Sequence, residues 1–271
     1  MTTTVLIDGK PSDGMIPVTD SVVVRGDGCF EVVRSYEGAP FAVAEHLDRL
    51  ENSARLLRIA LPSREEIASW ITAVAAELGD GAVRVLVTRG AGIPGISDQP
   101  RVIVFGHHWE LPPGPIRLLP VAAPWHAAGE PWDLAGAKAL SYAPNMAAGR
   151  HAKDAGYDDA LLVTKEGVVL EGPTFSVAWV VDDVLETPGL GLGILDSITR
   201  RLVLEDAGSL GIEVRESSWG LSRLQSASEA MALSTIREVQ PVGAVGDVGF
   251  DEGPVTKRLS GAFAERLVRQ L

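Results

Sequence analysis

The sequence predicts a mixed α+β or irregular α/β fold in two domains, on three observations. Stretches with helical and with strand periodicity interleave without strict alternation. A chain of 271 residues, 46% of them hydrophobic, has enough apolar material for one large core or two smaller ones. Leu111-Pro112-Pro113-Gly114-Pro115 is the strongest linker signal in the chain. The expected division is therefore 1–111, a linker at 112–119, and 120–271.

In the first part, Val22 to Arg34 reads as a strand-pair region broken at the turn-forming cluster Gly26-Asp27-Gly28. A helix follows from His46 to about Arg58, with Leu47, Leu50, Ala54 and Leu57 on its apolar face and Arg49 on the solvated side. Ser63 and Glu66 have the spacing of a capping box, and the helix they open carries Ile67, Trp70 or Ile71, Val74 and Leu78 on its apolar face before stopping at Gly79. Ala82 to Thr88 and Arg101 to Gly106 are expected strands joined by a Gly/Pro-rich loop.

The second part is richer in strands. Tyr142 to Gly156 reads as a helix with Pro144 in its first turn and Gly156 as its stop. Asp159–Thr164 and Val168–Glu171 form an expected hairpin around Lys165-Glu166-Gly167, and Phe175–Val181 with Val184–Glu186 form another pair. A helix opens near Asp196 and runs to about Ala207, followed by strands at Ile212–Arg215 and Met231–Ser234.

Composition excludes several function classes. With 24 basic against 36 acidic residues the formal charge is −12, which disfavours a nucleic-acid partner. The lone Cys29 excludes an intrachain disulfide and fits a reducing compartment. The start Met1-Thr2-Thr3-Thr4-Val5-Leu6 lacks a signal-peptide pattern, and no apolar run approaches the roughly 18 residues needed to cross a bilayer. A soluble, cytoplasmic protein without a membrane partner is expected. Gly189-Leu190-Gly191-Leu192-Gly193 has the wrong spacing for a dinucleotide fingerprint. The histidines His46, His107, His108, His126 and His151 are too scattered for a metal site, so no metal is expected.

The chemistry centres on Gly136-Ala137-Lys138-Ala139-Leu140-Ser141-Tyr142. One lysine stands in a small, apolar run ahead of a helix. Desolvation disfavours its charged form, and a neutral amine is a nucleophile for an aldehyde cofactor. Alone, such a lysine reads as a surface residue in a loop, and only the rest of the chain overturns that reading. Leu195-Asp196-Ser197-Ile198-Thr199-Arg200 opens a helix whose first N–H groups and dipole face an incoming anion, although an ordinary helix capped by Asp196 has the same pattern. Ser234-Thr235 offers two hydroxyls at a strand end, although a plain strand terminus has the same pattern, and Glu171 is either a turn glutamate or a carboxylate in an apolar context that calls for a partner.

Taken in order, these segments resemble the fold-type IV pyridoxal-phosphate enzymes. The resemblance runs through Arg25-Gly26-Asp27-Gly28-Cys29-Phe30-Glu31, His46-Leu47-Asp48-Arg49-Leu50, Lys138 with Ser141-Tyr142, and Gly156-Tyr157-Asp158-Asp159-Ala160-Leu161-Leu162. It continues through Glu171, Gly193 to Arg200, and Ser234 to Val242, and so covers nearly the whole chain. That family comprises branched-chain aminotransferases, D-amino-acid aminotransferases and aminodeoxychorismate lyases. The resemblance implies a small α/β N-terminal domain, a larger strand-rich pseudo-barrel domain, pyridoxal 5'-phosphate as cofactor, and a homodimer. It implies that Lys138 is the Schiff-base lysine and proton carrier, and that Glu171 pairs with the pyridine nitrogen. Arg49, the backbone of Ile198 and Thr199, and Ser234 with Thr235 would hold the phosphate, with Tyr142 on the cofactor's hydroxyl side. Ser141, Ser176 and Asp196-Ser197 depart from the commonest family pattern without removing a catalytic group.

An amino-acid substrate needs a holder for its α-carboxylate, and a bidentate arginine suits that task. Arg25, Arg34 and Arg84 are the candidates beside Phe30, with Arg89 as a further one. The Phe30-Glu31-Val32-Val33-Arg34 run resembles the aminotransferase branches, and Val32 offers no hydroxyl for the elimination a lyase performs. Arginines at both Arg25 and Arg84 resemble the carboxylate pocket of some D-amino-acid aminotransferases. The expected activity is therefore transfer from D-amino acids to 2-oxo acids. Aminodeoxychorismate lyase, releasing pyruvate and 4-aminobenzoate, is the second reading, and branched-chain L-amino-acid transamination is the third.

Overall fold

The computed structural model describes residues 4–92, 98–109 and 113–270. The chain forms two compact units: Met1–Glu110 with Ala137–Tyr142 and Arg269–Leu271, and Leu111–Gly136 with Ala143–Val268. The short insertion in the first unit carries Lys138.

The first unit comprises β1 (Val5–Ile7), β2 (Lys10–Ser12), α1 (Ser21–Arg25), β3 (Gly28–Tyr36), β4 (Ala39–Pro40), α2 (Val43–Leu57), α3 (Arg64–Leu78), β5 (Gly81–Thr88) and β6 (Arg101–His107). The strands form an antiparallel sheet in the order β2-β1-β6-β5-β3-β4. Helices α2 and α3 cover one face, burying Leu47, Leu50, Ile67 and Ile71 against Val33, Val83, Val85 and Val104. The capping box is present: Ser63 Oγ accepts the Glu66 N–H, and the Glu66 carboxylate accepts the Ser63 N–H.

One expected strand is a helix instead. Ser21–Arg25 turns helical because the Asp20 carboxylate accepts the Val22 N–H at 3.0 Å and Gly26, at φ 68°, closes the other end. The valine run Val22-Val23-Val24 suggested a strand, but local capping outweighs that propensity. Helix α2 also starts earlier than expected, at Val43, and ends on Arg58 in the left-handed region.

The second unit comprises β7 (Ile116–Ala122), α4 (Ala143–Asp154), β8 (Asp159–Val163), β9 (Ser176–Val181), β10 (Val184–Pro188), α5 (Ile198–Ser209), β11 (Val214–Ser217), α6 (Leu221–Gln225), β12 (Glu229–Ser234), β13 (Glu238–Val245), β14 (Val248–Gly249) and α7 (Pro254–Gln270). Its main sheet runs β11-β10-β9-β12-β13-β7-β8, with β14 on β13. Buried Trp179, Val177, Ala232, Leu161 and Leu118 form its centre. Strand β7 occupies much of the expected 112–119 linker, because Ile116 and Leu118 are core residues; residues 110–112 lie outside the described ones. The hairpin around Lys165-Glu166-Gly167 forms through the bonds Leu170 N–H to Leu162 C=O and Leu162 N–H to Glu171 C=O, which set Glu171 at the end of its second arm. The turn between β9 and β10 is Asp182-Asp183, both at positive φ, a conformation aspartate tolerates. Helix α4 is shorter than expected, and β11 is shifted two residues towards the C-terminus.

Candidate active site

Lys138 lies beside β3. The Phe30 N–H donates to the Lys138 C=O at 3.0 Å, and the Leu140 N–H to the Gly28 C=O at 2.8 Å. Gly28 is required for this pairing, since a Cβ there would strike the Val87 carbonyl and the Leu140 side chain. Ser141, one of the unusual residues, donates its hydroxyl to the Gly26 C=O at 2.9 Å. The Lys138 Nζ stands 4.5 Å from the centre of the Phe30 ring, and Tyr142 meets that ring edge-on at 5.4 Å. Lys138, Phe30 and Tyr142 thus come together around the expected reactive amine.

Arg49 is not on a solvated helix face. Its side chain is 10% exposed, and its Nε and Nη2 donate to the two oxygens of Glu31 at 2.7 and 2.8 Å. His46 Nδ1 lies 2.8 Å from the same carboxylate. The periodicity of Leu47, Leu50 and Ala54 located the apolar stripe correctly. His46, Arg49 and Ser53, each one position ahead of it, form a second buried stripe that faces Glu31 on the covered side of the sheet. A buried acid on β3 made that stripe polar. Cys29 is buried on the same face; burial, and then the charge of Glu31, push its thiol up to about 12, so it is not a nucleophile at neutral pH.

The cluster has a pH consequence. Burial keeps the His46 ring neutral, below its ordinary value of 6.5, despite the Glu31 hydrogen bond. Burial alone would raise the Glu31 carboxyl, but Arg49 and His46 hold it well below its ordinary 4.5. As pH falls through 6.5 the unfolded chain protonates at His46 and the native chain does not, so stability is full above that value and declines below it. Glu31 adds a second loss below 4.5. The urea midpoint should fall from pH 7 to pH 5, and His46→Gln should flatten that slope; an unchanged slope in the variant would refute this assignment.

Phe30, Val32 and Arg34 alternate onto the other face of β3, and Arg84 pairs in register with Val32. Arg84 is half-buried, and among the described residues its side chain has neither ion-pair nor hydrogen-bond partner; burial alone pulls its pKa down. Arg34 leans over Tyr36 at 5.2 Å, and its Nε is buried without an acceptor. Arg25 is exposed at the end of α1, one residue ahead of the Gly26 that receives Ser141. Arg89 is withdrawn as a candidate: Asp27, Asp98 and the Leu57 and Arg58 carbonyls occupy its guanidinium.

The second unit carries the remaining candidates. Glu171 accepts the Leu195 N–H at 3.2 Å, and His126 Nε2 lies 3.5 Å from its other oxygen. His126 Nδ1 accepts the Ala128 N–H, so in the neutral ring Nε2 carries the proton and points it at Glu171. Leu195 leads into α5, whose N-cap is Ser197 and not Asp196; Ser197 Oγ accepts the Arg200 N–H. The Ile198 and Thr199 N–H groups remain at the positive end of a 12-residue helix, where no intrahelical acceptor exists. Helix α5 packs against β12, which ends at Ser234, and the Ser234 Oγ accepts the Arg237 N–H while Thr235 follows in the turn. Ser176 opens β9 and is buried.

Comparison with known proteins decides the family. Residues 28–245 match the model for amino-transferase class IV. The chain belongs to the class IV aminotransferases. It is 29% identical to an aminodeoxychorismate lyase of Bacillus subtilis over 92% of this chain and 89% of the relative. It is likewise 29% identical to a D-alanine aminotransferase of Listeria innocua, over 95% and 93%. The solved branched-chain aminotransferase of Thermoproteus uzoniensis with norvaline is 26% identical and superimposes with a TM-score of 0.90, covering 100% of this chain and 96% of that one.

Class IV aminotransferases use pyridoxal 5'-phosphate. The donor set of this aminotransferase fits that group in kind: an amine for the aldehyde, a carboxylate for the pyridine nitrogen, and an arginine, two helix-end N–H groups and hydroxyls for the phosphate dianion. The sequence reading missed Glu31 and His126. Glu31 had a signal, as an acid on a strand whose neighbours alternate apolar, one helix away from an arginine. His126 had none, because the loop that brings it to Glu171 has no periodicity. Among the described residues no group of three His, Cys, Asp or Glu is placed to hold a metal, and no helix is long and apolar enough to cross a membrane.

Proposed function

We propose that this aminotransferase moves the amino group of D-amino acids onto 2-oxo acids, and that Arg84 receives the substrate carboxylate. The observation that carries the reading is Arg84 itself. A half-buried guanidinium without a protein partner among the described residues is costly unless a ligand supplies the missing anion. It stands on the sheet face that also carries Phe30, the ring under the Lys138 amine. Arg25 is the second candidate for the same carboxylate, and Arg34 and Phe30 would border the substrate side chain.

In this reading Lys138 would hold the cofactor through its aldehyde, and once the incoming substrate amine had replaced it there, the freed Nζ would take the proton from the substrate Cα and deliver it to the other end of the same transfer. Bound pyridoxal phosphate supplies an electron sink for the developing charge. Glu171, held by the Leu195 N–H and His126, pairs with the pyridine nitrogen. Arg49, the Ile198 and Thr199 N–H groups, and the Ser234 and Thr235 hydroxyls anchor the phosphate, while Tyr142 lies on the hydroxyl side. A homodimer in the cytoplasm is part of the same proposal.

The test is to mix the holoenzyme separately with D-alanine, L-leucine and R-1-phenylethylamine and to follow the cofactor's visible band. Conversion with D-alanine, and none with L-leucine, is the expected result. Conversion with L-leucine alone would replace it with a branched-chain assignment. Failure with all three, together with pyruvate release from aminodeoxychorismate, would establish the lyase instead.

A further inference from the structure

Glu31 is 1% exposed and shares its face of β3 with the buried Cys29 and Val33. Its two oxygens accept from Arg49 Nε at 2.7 Å, Arg49 Nη2 at 2.8 Å, the Val32 N–H at 3.3 Å and, through a neutral ring, His46 Nδ1 at 2.8 Å. Such a cluster is a poor way to stabilise a core, since packed apolar side chains of the same volume often serve as well. What it does fix is orientation. The Nε and Nη2 edge of Arg49 lies against both oxygens, which fixes the plane of the guanidinium relative to β3. The same stretch of α2 fixes Lys138: Ser53 Oγ donates to the Arg49 C=O at 2.9 Å and accepts the Lys138 N–H at 3.1 Å.

We propose that Glu31 is a positioning residue, holding the Arg49 guanidinium in the pose that receives the cofactor phosphate while Ser53 fixes the Lys138 backbone from the same helix. The proposal rests on the reading of Arg49 as a phosphate ligand. In this proposal Glu31 acts through Arg49, which it contacts directly. Without the Glu31 carboxylate, Arg49 would lose the contact that fixes its Nε and Nη2 edge, and the phosphate would have to order that edge on binding.

The experiment separates these claims. Apoprotein is titrated with pyridoxal phosphate and with pyridoxal, which lacks the phosphate, and the ratio of the dissociation constant for pyridoxal to that for pyridoxal phosphate is taken from visible absorbance. Arg49→Ala should lower that ratio. Glu31→Gln should lower it by about 10- to 100-fold with the pyridoxal constant unchanged. The double variant should fall no further than Arg49→Ala alone, because one interaction is being removed twice. Equal weakening of both ligands in Glu31→Gln, or additive effects in the double variant, would overturn the positioning role. An unchanged ratio in Arg49→Ala would instead remove the phosphate reading beneath it. If Glu31→Gln does not fold, Glu31→Asp keeps the charge and loses reach; it should also lower the ratio, and a wild-type ratio there would overturn the proposal.

Discussion

Lys138→Ala should leave a folded protein that forms no visible band with pyridoxal phosphate and turns over at least ~10³-fold more slowly. The fold tolerates the change because Lys138 is held by its backbone, through the Phe30 N–H and the Ser53 hydroxyl. What disappears is the amine over the Phe30 ring, and with it both the covalent anchor and the proton carrier. Circular dichroism and urea unfolding check the first half, absorbance and single-turnover kinetics the second. Retained turnover would remove Lys138 from the chemistry.

Arg84→Leu should lower kcat/KM for D-alanine by about 10²- to 10³-fold, the effect of losing one desolvated, bidentate partner of a carboxylate. The loss should be specific to donors that carry a carboxylate. Conversion of R-1-phenylethylamine, which has none, should not decline, so the preference for D-alanine over the amine should collapse. Thermal unfolding of the unliganded variant should shift slightly upward, because a half-buried charge without a partner among the described residues has been removed. If both donors decline together, Arg84 supports the site's structure and Arg25 becomes the carboxylate ligand to test.

The regular elements were legible where one periodicity dominates. Helices α2 and α3 and strands β5 and β6 were expected within a few residues, because their apolar stripes and caps agree. Segments decided by a single side chain were not. Asp20 turns the valine run of α1 into a helix, and Ser197 takes the cap expected of Asp196. The C-terminal helix α7 escaped notice because its buried Val255, Leu259, Phe263 and Leu267 lie among charged and small residues with little contrast.

Candidate residues were legible as types at intervals, through resemblance more than through physics. Charge environment was the illegible part. Arg49 read as solvated because a helix wheel cannot show that β3 presents Glu31 to it, and Arg89 read as free because its acids Asp27 and Asp98 are far from it in sequence or in a loop. Arg84 gained its significance only from the absence of such partners among the described residues.

The central claim is a covalent bond between the cofactor and Lys138. Borohydride reduction of the holoenzyme converts that bond to a stable secondary amine, and peptide mass spectrometry locates it. A phosphopyridoxyl group is expected on Lys138, at one per chain, and none on Lys10, Lys153, Lys165 or Lys257. A label on any of those lysines with Lys138 unmodified would contradict it.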